Sequence, residues 1–439
     1  MYRIVYLHQE IMMRGQKKRV VILGAGSAGI GALLELKRAS AGIPEMEVTL
    51  VDQNNYHFVL PLIYQVVTGS VAPGHISFPL RILLRQRGTT GQVKFRQSQI
   101  QGIDVESRIV ATDTGELEWD YLVVALGSTV NFFGMDEVER NALRFRSLKD
   151  AINIHNRILD NYETALLEKD EQLRRELLTF VVVGGGPTGV ELAASVQDFT
   201  LKVLARDYPS LMPYVRVILV EAQDTLLSGM KTKTVELAIA RLRSRKIEVL
   251  LKTRISKAWA DGVQTADGQT IPTRTVIWVG GVKAAAATAS LPFDKAKDGR
   301  ILVNEYLQVP KSPGVYIIGD CAYLQQEHDL GPYPATHQVA MRQGPACARN
   351  IINAIRGKPQ RPFRYKFKGQ IIYIGRNTAV AQLLNFVFDG FAAGLVRRML
   401  YLEQMIVYLG LLTGFKSKIG ASIDWFFAYF YNRNTARIE

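Results

Sequence analysis

Two segments place glycines where an apolar strand hands over to a helix: Arg19-Val-Val-Ile-Leu-Gly-Ala-Gly-Ser-Ala-Gly29 and Phe180-Val-Val-Val-Gly-Gly-Gly-Pro-Thr-Gly189. The chemistry such a turn serves is phosphate binding. The first glycine (Gly24, Gly184) allows the tight turn and the second (Gly26, Gly186) lets backbone N–H groups approach a pyrophosphate. The third (Gly29, Gly189) lets the helix pack closely, and the helix N-terminus favours the anion. Ser27, Ala28, Pro187 and Thr188 fill the turns. A second apolar strand ending in an acid closes each unit, Val48-Thr-Leu-Val-Asp52, followed by Gln53, and Val217-Ile-Leu-Val-Glu221. Such a carboxylate takes ribose hydroxyls and repels a 2′-phosphate, so each site is expected to prefer a dinucleotide without that phosphate. One glycine fingerprint is weak evidence; two, each with strand, helix and terminal acid in order, make two βαβ dinucleotide-binding units.

The surrounding elements must position these turns. Strands are expected at Val93–Phe95, Arg108–Ala111, Tyr121–Ala125, Ile247–Leu251, Gln269–Pro272 and Thr275–Val279. Those ending at Ala125 and Gly127, and at Gly280 and Gly281, would lie beside the first and second nucleotide. A later strand, Val315-Tyr-Ile-Ile-Gly-Asp-Cys-Ala322, ends in Gly319-Asp320 before a helix expected to begin near Pro334. Its carboxylate would meet a cofactor's sugar-like chain. The first domain therefore reads as split, with the second inserted into it.

Composition narrows the classes. The 439 residues, 48% hydrophobic and 21% charged, with 36 glycines, describe a folded chain of two or three domains. Two cysteines, Cys321 and Cys347, make no disulfide framework and point to a reducing compartment. Six scattered histidines supply no metal-ligand spacing, so no metal site is expected. Charged residues interrupt every late apolar window, which excludes a spanning helix. Residues 1–16 read as an N-terminal extension, or as a start placed upstream of Met12 or Met13; His8, Gln9 and Glu10 break any signal-peptide core. Of the net charge of +14, the stretch from Arg356 to Glu439 carries 13 basic against 4 acidic residues. That basic region suits an anionic membrane or a nucleic acid.

Two dinucleotide sites followed by a Gly-Asp strand end resemble the two-dinucleotide-binding flavoproteins from about Lys17 to Gly344. The segment Asp52-Gln-Asn-Asn-Tyr-His-Phe-Val-Leu-Pro-Leu-Ile-Tyr-Gln-Val-Val67, with Ile76 and Pro79-Leu-Arg81, is similar to that of the type II NADH:quinone oxidoreductases. So are Gly186-Pro-Thr-Gly-Val-Glu-Leu-Ala193, Trp278-Val-Gly-Gly-Val282, Ile374-Gly-Arg-Asn-Thr-Ala-Val380, Gly414-Phe-Lys-Ser-Lys418, Trp425 and Ala436-Arg-Ile438. The resemblance implies FAD in the first site, NADH as substrate in the second and quinone as acceptor. It also implies Tyr64 and Gln65 at the cofactor and Glu191 near nicotinamide and flavin. Glu191 reads equally as a first-turn acid complementing its helix dipole. His57 and His75 would relay protons or fill structural roles. The family's quinone signature, Ala-Gln-x-Ala-x-Gln, reads here His337-Gln338-Val339-Ala340-Met341-Arg342, with Gln343 one place later. Gln338 and Ala340 match; His337 and Arg342 depart. Gln338 and His337 join Glu191 as expected catalytic residues, and the same helix read otherwise only caps the flavin. Disulfide and sulfide chemistry lack their nucleophiles, since no cysteine precedes Cys321, itself read as a small buried residue.

Phe388, Phe391, Leu395, Met399, Leu402, Ile406 and Leu409 recur at steps of three and four, the apolar face of a helix. Trp425, Phe426, Phe427, Tyr429, Phe430 and Tyr431 follow, flanked by Lys416, Lys418, Arg433 and Arg437. Aromatics with basic neighbours fit a membrane lipid surface; amphipathy equally fits packing on the body or on a homodimer partner. No nucleic acid is expected, for want of a binding motif. The expected fold is α/β: two Rossmann-like domains for FAD and NAD, the second inserted in the first, and a C-terminal amphipathic membrane-binding region. The expected boundaries are 17–145 and 293–354 for the FAD domain, 146–292 for the NADH domain and 355–439 for the C-terminal region. The expected activity is non-pumping oxidation of NADH with quinone reduction, by a peripheral enzyme at the cytoplasmic face of the cell membrane. Two alternatives are an interaction flavoprotein like the apoptosis-inducing-factor relatives and an NAD(P)H-dependent reductase of a soluble electron carrier.

Overall fold

The computed structural model describes residues 17–85, 92–327, 331–366, 369–375, 378–383, 386–387, 409, 412, 414–430 and 434–438. The chain forms two units. The first comprises Met1–Phe58, Phe78–Thr129 and Lys283–Lys366; the second comprises Val59–Ser77, Val130–Val282 and Phe367–Glu439. The second is inserted in the first. The boundaries depart from the expected 17–145, 146–292, 293–354 and 355–439: the second unit begins at Val130 and returns to the first at Lys283, and Phe367–Glu439 belongs to the second unit instead of forming a region of its own. Val59–Ser77, carrying Tyr64 and Gln65, groups with the second unit, because its short helix Ile63–Val67 packs on the helices Leu148–Leu167 and Pro187–Asp198.

Each unit is built on a five-stranded parallel sheet of the same plan. In the first the order is Val315–Ile317, Tyr121–Val124, Lys18–Leu23, Met46–Asp52, Val93–Gln97. In the second it is Leu143–Arg144, Thr275–Trp278, Thr179–Val183, Arg216–Val220, Ile247–Leu250. The strand leading into the glycine turn is central in both. Its runs of Val, Ile and Leu bury on both faces, as a covered parallel sheet requires; Val20, Ile22, Val181 and Val182 are wholly inaccessible. Register is shared as well, Val20 opposite Val48 and Val181 opposite Ile218. This alignment brings the glycine turn, the acid and the following Gly-bearing strand end to one edge of each sheet.

A three-stranded antiparallel sheet accompanies each parallel one: Ile100–Asp104, Ile109–Thr112 and Gly115–Glu118, then Ile255–Trp259, Gly262–Thr265 and Thr270–Pro272. The second unit also holds the helix Leu148–Leu167, opened by a capping box in which Ser147 and Asp150 exchange hydrogen bonds. The helix expected near Pro334 begins three residues later, at His337, because Thr336 still has the extended φ of −127° of an N-cap.

The proposed apolar face from Phe388 to Ile406 lies outside the described residues, as do the N-terminal extension, Tyr431 and Arg433. The helix Phe415–Phe430 is described. Its inner side buries Ser417, Ala421, Trp425 and Ala428, while Phe415, Ile419, Ile423, Phe426 and Phe427 are exposed. The tail is fastened to the same unit: Asn434 N–H donates to Gly69 O at 3.1 Å, Ile438 N–H to Asn156 Oδ1 at 2.9 Å, and Arg437 pairs with Asp160 at 3.2 Å. Among the described residues no helix is long and apolar enough to cross a membrane.

Candidate dinucleotide sites

The two glycine turns are geometric copies. Gly24 and Gly184 sit at φ of +99° and +117°, where a side chain is strained, and a Cβ on Gly29 or Gly189 would strike the carbonyl of Gly24 or Gly184. Gly26 and Gly186 face open space. Each caps a helix with no side-chain cap and no acid in the first turn, leaving N–H groups for an anion. Ser27 and Ala28, like Pro187 and Thr188, form the first positions of these helices. This open, donor-rich cradle fits a pyrophosphate at both sites.

Both closing acids also brace their own turns. Asp52 accepts from the N–H groups of Ala25 and Asn54, each at 2.7 Å, and Glu221 from those of Gly185 at 2.6 Å and Gln223 at 2.8 Å. Burial raises the Asp52 carboxyl above its ordinary value, against these backbone hydrogen bonds. Each carboxylate oxygen retains a second lone pair for a ribose hydroxyl. Gln53, beside Asp52, accepts at its carbonyl from Gln97 Nε2 at 3.1 Å.

In the first unit, Asp320 follows Gly319 at the strand end and accepts from Ser128 Oγ at 2.7 Å. Gly319 N–H donates to Gln343 Oε1 at 2.7 Å, so the buried Gln343 holds the turn that presents Asp320. Ala125 lies against the first turn, where a Cβ on Gly24 would strike its carbonyl, and Gly127 O accepts from Cys321 Sγ at 2.9 Å. Burial pushes that thiol up to about 12, which suits a structural cysteine. His57 is also structural in aspect, its Nδ1 2.7 Å from Ala25 O and its pKa lowered by burial. His337 Nδ1 lies 2.7 Å from Ser27 Oγ, and burial lowers its pKa to about 4. Gln338 is exposed and accepts at Oε1 from Tyr365 OH at 2.8 Å. The sequence reading missed Ser128, Gln343 and Tyr365; Gln343 alone had a signal, as the glutamine displaced by one place from the quinone signature.

In the second unit, Gly280 and Gly281 follow the central-sheet strand Thr275–Trp278, and a Cβ on Gly184 would come within 2.7 Å of Gly280 Cα. Glu191 is the fifth residue of the helix Pro187–Asp198, beyond the first turn, so it is no dipole-complementing cap. Its Oε1 accepts from Tyr373 N–H at 3.2 Å, and burial raises its carboxyl to about 8. The shift favours the protonated form at neutral pH. Tyr64 and Gln65 are buried residues of the second unit: Gln65 donates to Tyr64 OH at 3.2 Å and accepts from Trp425 Nε1 at 2.6 Å. Trp425, expected among the exposed aromatics, is instead an anchor. His75 Nδ1 lies 2.5 Å from Asp424, on the same C-terminal helix.

Comparison with known proteins agrees with this architecture. Residues 18–344 match the pyridine nucleotide-disulphide oxidoreductase family. The NDH2 of Plasmodium falciparum, solved in complex with NADH, superposes with a TM-score of 0.86 at 20% identity, covering 96% of this chain and 100% of that one. A Staphylococcus aureus type II NADH:quinone oxidoreductase is 27% identical over 92% of the chain and 99% of its own length. The type II NADH:quinone oxidoreductase Ndh of Mycobacterium tuberculosis is 31% identical over 93% of this chain and 88% of its own. The duplicated sites and this coverage together place the chain in the type II NADH:quinone oxidoreductases, within the pyridine nucleotide-disulphide oxidoreductase family.

Proposed function

We propose that the chain oxidises NADH at its second unit and reduces a membrane quinone through FAD held by the first, without pumping protons. The observation that carries this is the pair of complete dinucleotide cradles in one chain, each with open space at its middle glycine. Bound FAD would supply the capacity to take two electrons from NADH and deliver them to quinone. The turn Gly24–Gly29 holds its pyrophosphate, and Asp52 and Asp320 its two sugar-like parts. Glu221 holds the NADH ribose. Glu191, neutral at pH 7, presents a proton rather than a charge near the transferring groups. The Gln338 amide donates to a quinone carbonyl, stabilising charge that develops on reduction.

The exposed residues Phe415, Ile419, Ile423, Phe426 and Phe427 form the face that rests on lipid, with Lys416 and Lys418 beside it for anionic headgroups. On this reading the enzyme works peripherally, at the cytoplasmic face of the cell membrane. Steady-state kinetics with NADH against a quinone analogue, ferredoxin and a disulfide tests the reading. Turnover with quinone alone is expected, and Gln338→Ala should lower it while NADH still bleaches the flavin. Preference for ferredoxin would favour the soluble-carrier reductase, and absence of turnover the interaction flavoprotein.

A further inference from the structure

His337 occupies a junction that the proposed FAD site does not otherwise explain. Its Nδ1 is 2.7 Å from Ser27 Oγ, the first residue of the helix that follows the glycine turn. His57, bonded to Ala25 O, and Asp320 are both near enough to influence its charge. Its other ring nitrogen, Nε2, is buried with no hydrogen-bond partner. A buried imidazole nitrogen left without a partner is destabilising, since the hydrogen bonds it made to water are not replaced. The ring itself lies against the helix that follows the glycine turn and close to His57 and Asp320, features already assigned to a single cofactor.

We propose that His337 is an FAD-contact residue, its Nε2–H donating to an acceptor on the pyrophosphate–ribityl stretch of bound FAD while Ser27 orients the ring. This rests on the reading of the first unit as the FAD site. The tautomer follows from the partners: phosphate oxygens accept only, so the proton belongs on Nε2, and Ser27 O–H donates to Nδ1. The low pKa of about 4 keeps the unliganded ring neutral at pH 7, with one N–H to place. The resemblance puts alanine at this position, so the contact belongs to this chain's own sequence. It also gives His337 a role different from that of Gln338, its exposed neighbour, which points to Tyr365.

The test is FAD release from the holoenzyme, followed by the rise in free-flavin fluorescence on dilution. His337→Ala is expected to weaken FAD binding by about 3- to 10-fold, the loss of one net hydrogen bond. His337→Gln carries an amide N–H to a similar reach and should recover most of it. Ser27→Ala, which frees the ring, should fall between wild type and His337→Ala. NADH binding to the second unit serves as the folding control and should be unchanged. FAD held by His337→Ala as tightly as by wild type, or more tightly, would overturn the contact. A wild-type protein that purifies without flavin and takes up none would remove the FAD reading itself, and this contact with it.

Discussion

Trp425 Nε1 donates to Gln65 Oε1 across 2.6 Å, joining the C-terminal helix to the Tyr64-Gln65 segment far upstream. Both side chains are buried. Trp425→Phe leaves the Gln65 oxygen without its donor and should destabilise the protein by about 1–3 kcal/mol. The measurement is the urea midpoint. Because removing both partners of a buried hydrogen bond costs less than removing one, Gln65→Met combined with Trp425→Phe should regain part of the loss.

Asp320 bears on cofactor retention. Its neighbours Ser128 and Gln343 fix the strand end that presents it. Asp320→Ala is expected to weaken FAD binding roughly tenfold, near 1.4 kcal/mol, as a charge-assisted hydrogen bond is lost. The ratio of flavin to protein absorbance after gel filtration reads this directly; an unchanged ratio would place the ribityl chain elsewhere.

Donor choice turns on Glu221. It braces Gly185 with one oxygen and Gln223 with the other, so Glu221→Gln keeps one of these two acceptors while losing the charge that repels a 2′-phosphate. The kcat/KM ratio of NADH to NADPH should exceed one in wild type and shrink severalfold in this variant. Equal ratios in the two proteins would show that discrimination lies outside the Glu221 carboxylate.

Glu191 gives a pH dependence with a defined sign. Burial raises its folded carboxyl to about 8 from an ordinary 4.5. Between those values the folded chain holds a proton that the unfolded chain releases, so this group's contribution to stability falls as pH rises through that window. Glu191→Gln removes the proton exchange. It should match wild type near pH 4 and exceed it at pH 9 in urea unfolding of NADH-free protein, and a gap constant with pH would refute the raised carboxyl.

Membrane contact is tested at the outer face of the C-terminal helix. Phe426 and Phe427 are 54% and 51% exposed, so changing both to Ser removes apolar surface without opening a core. Co-flotation with vesicles containing anionic phospholipid should drop severalfold while urea stability holds within about 0.5 kcal/mol. Retained flotation together with a loss of dimer would instead assign this face to a second copy of the chain.

Local rules made much of the site legible. Gly24, Gly29, Gly184 and Gly189 reveal their turns because no other residue fits the backbone there, and Asp52 and Glu221 stand at the ends of strands whose apolar runs identify them. The doubled order of strand, turn, helix and acid carried the inserted α/β architecture as well. Spacing alone could not show that these acids also hold their own turns, since that bond depends on the parallel register of neighbouring strands.

What tertiary structure alone decided was the partner of each polar side chain. Ser27 and His337 are separated by 310 positions, and Gln65 and Trp425 by 360, so no periodicity links them. Their pairing arises when sheet order and helix packing bring remote segments together. The same packing moved Val59–Ser77 into the second unit and turned Trp425 inward, leaving Phe426 and Phe427 outside. Burial favours the protonated form of Glu191 and the neutral form of His337, because the charged form of each loses hydration that a folded interior does not replace. Sequence determined which backbones could cradle a phosphate; the fold determined which side chains would face it.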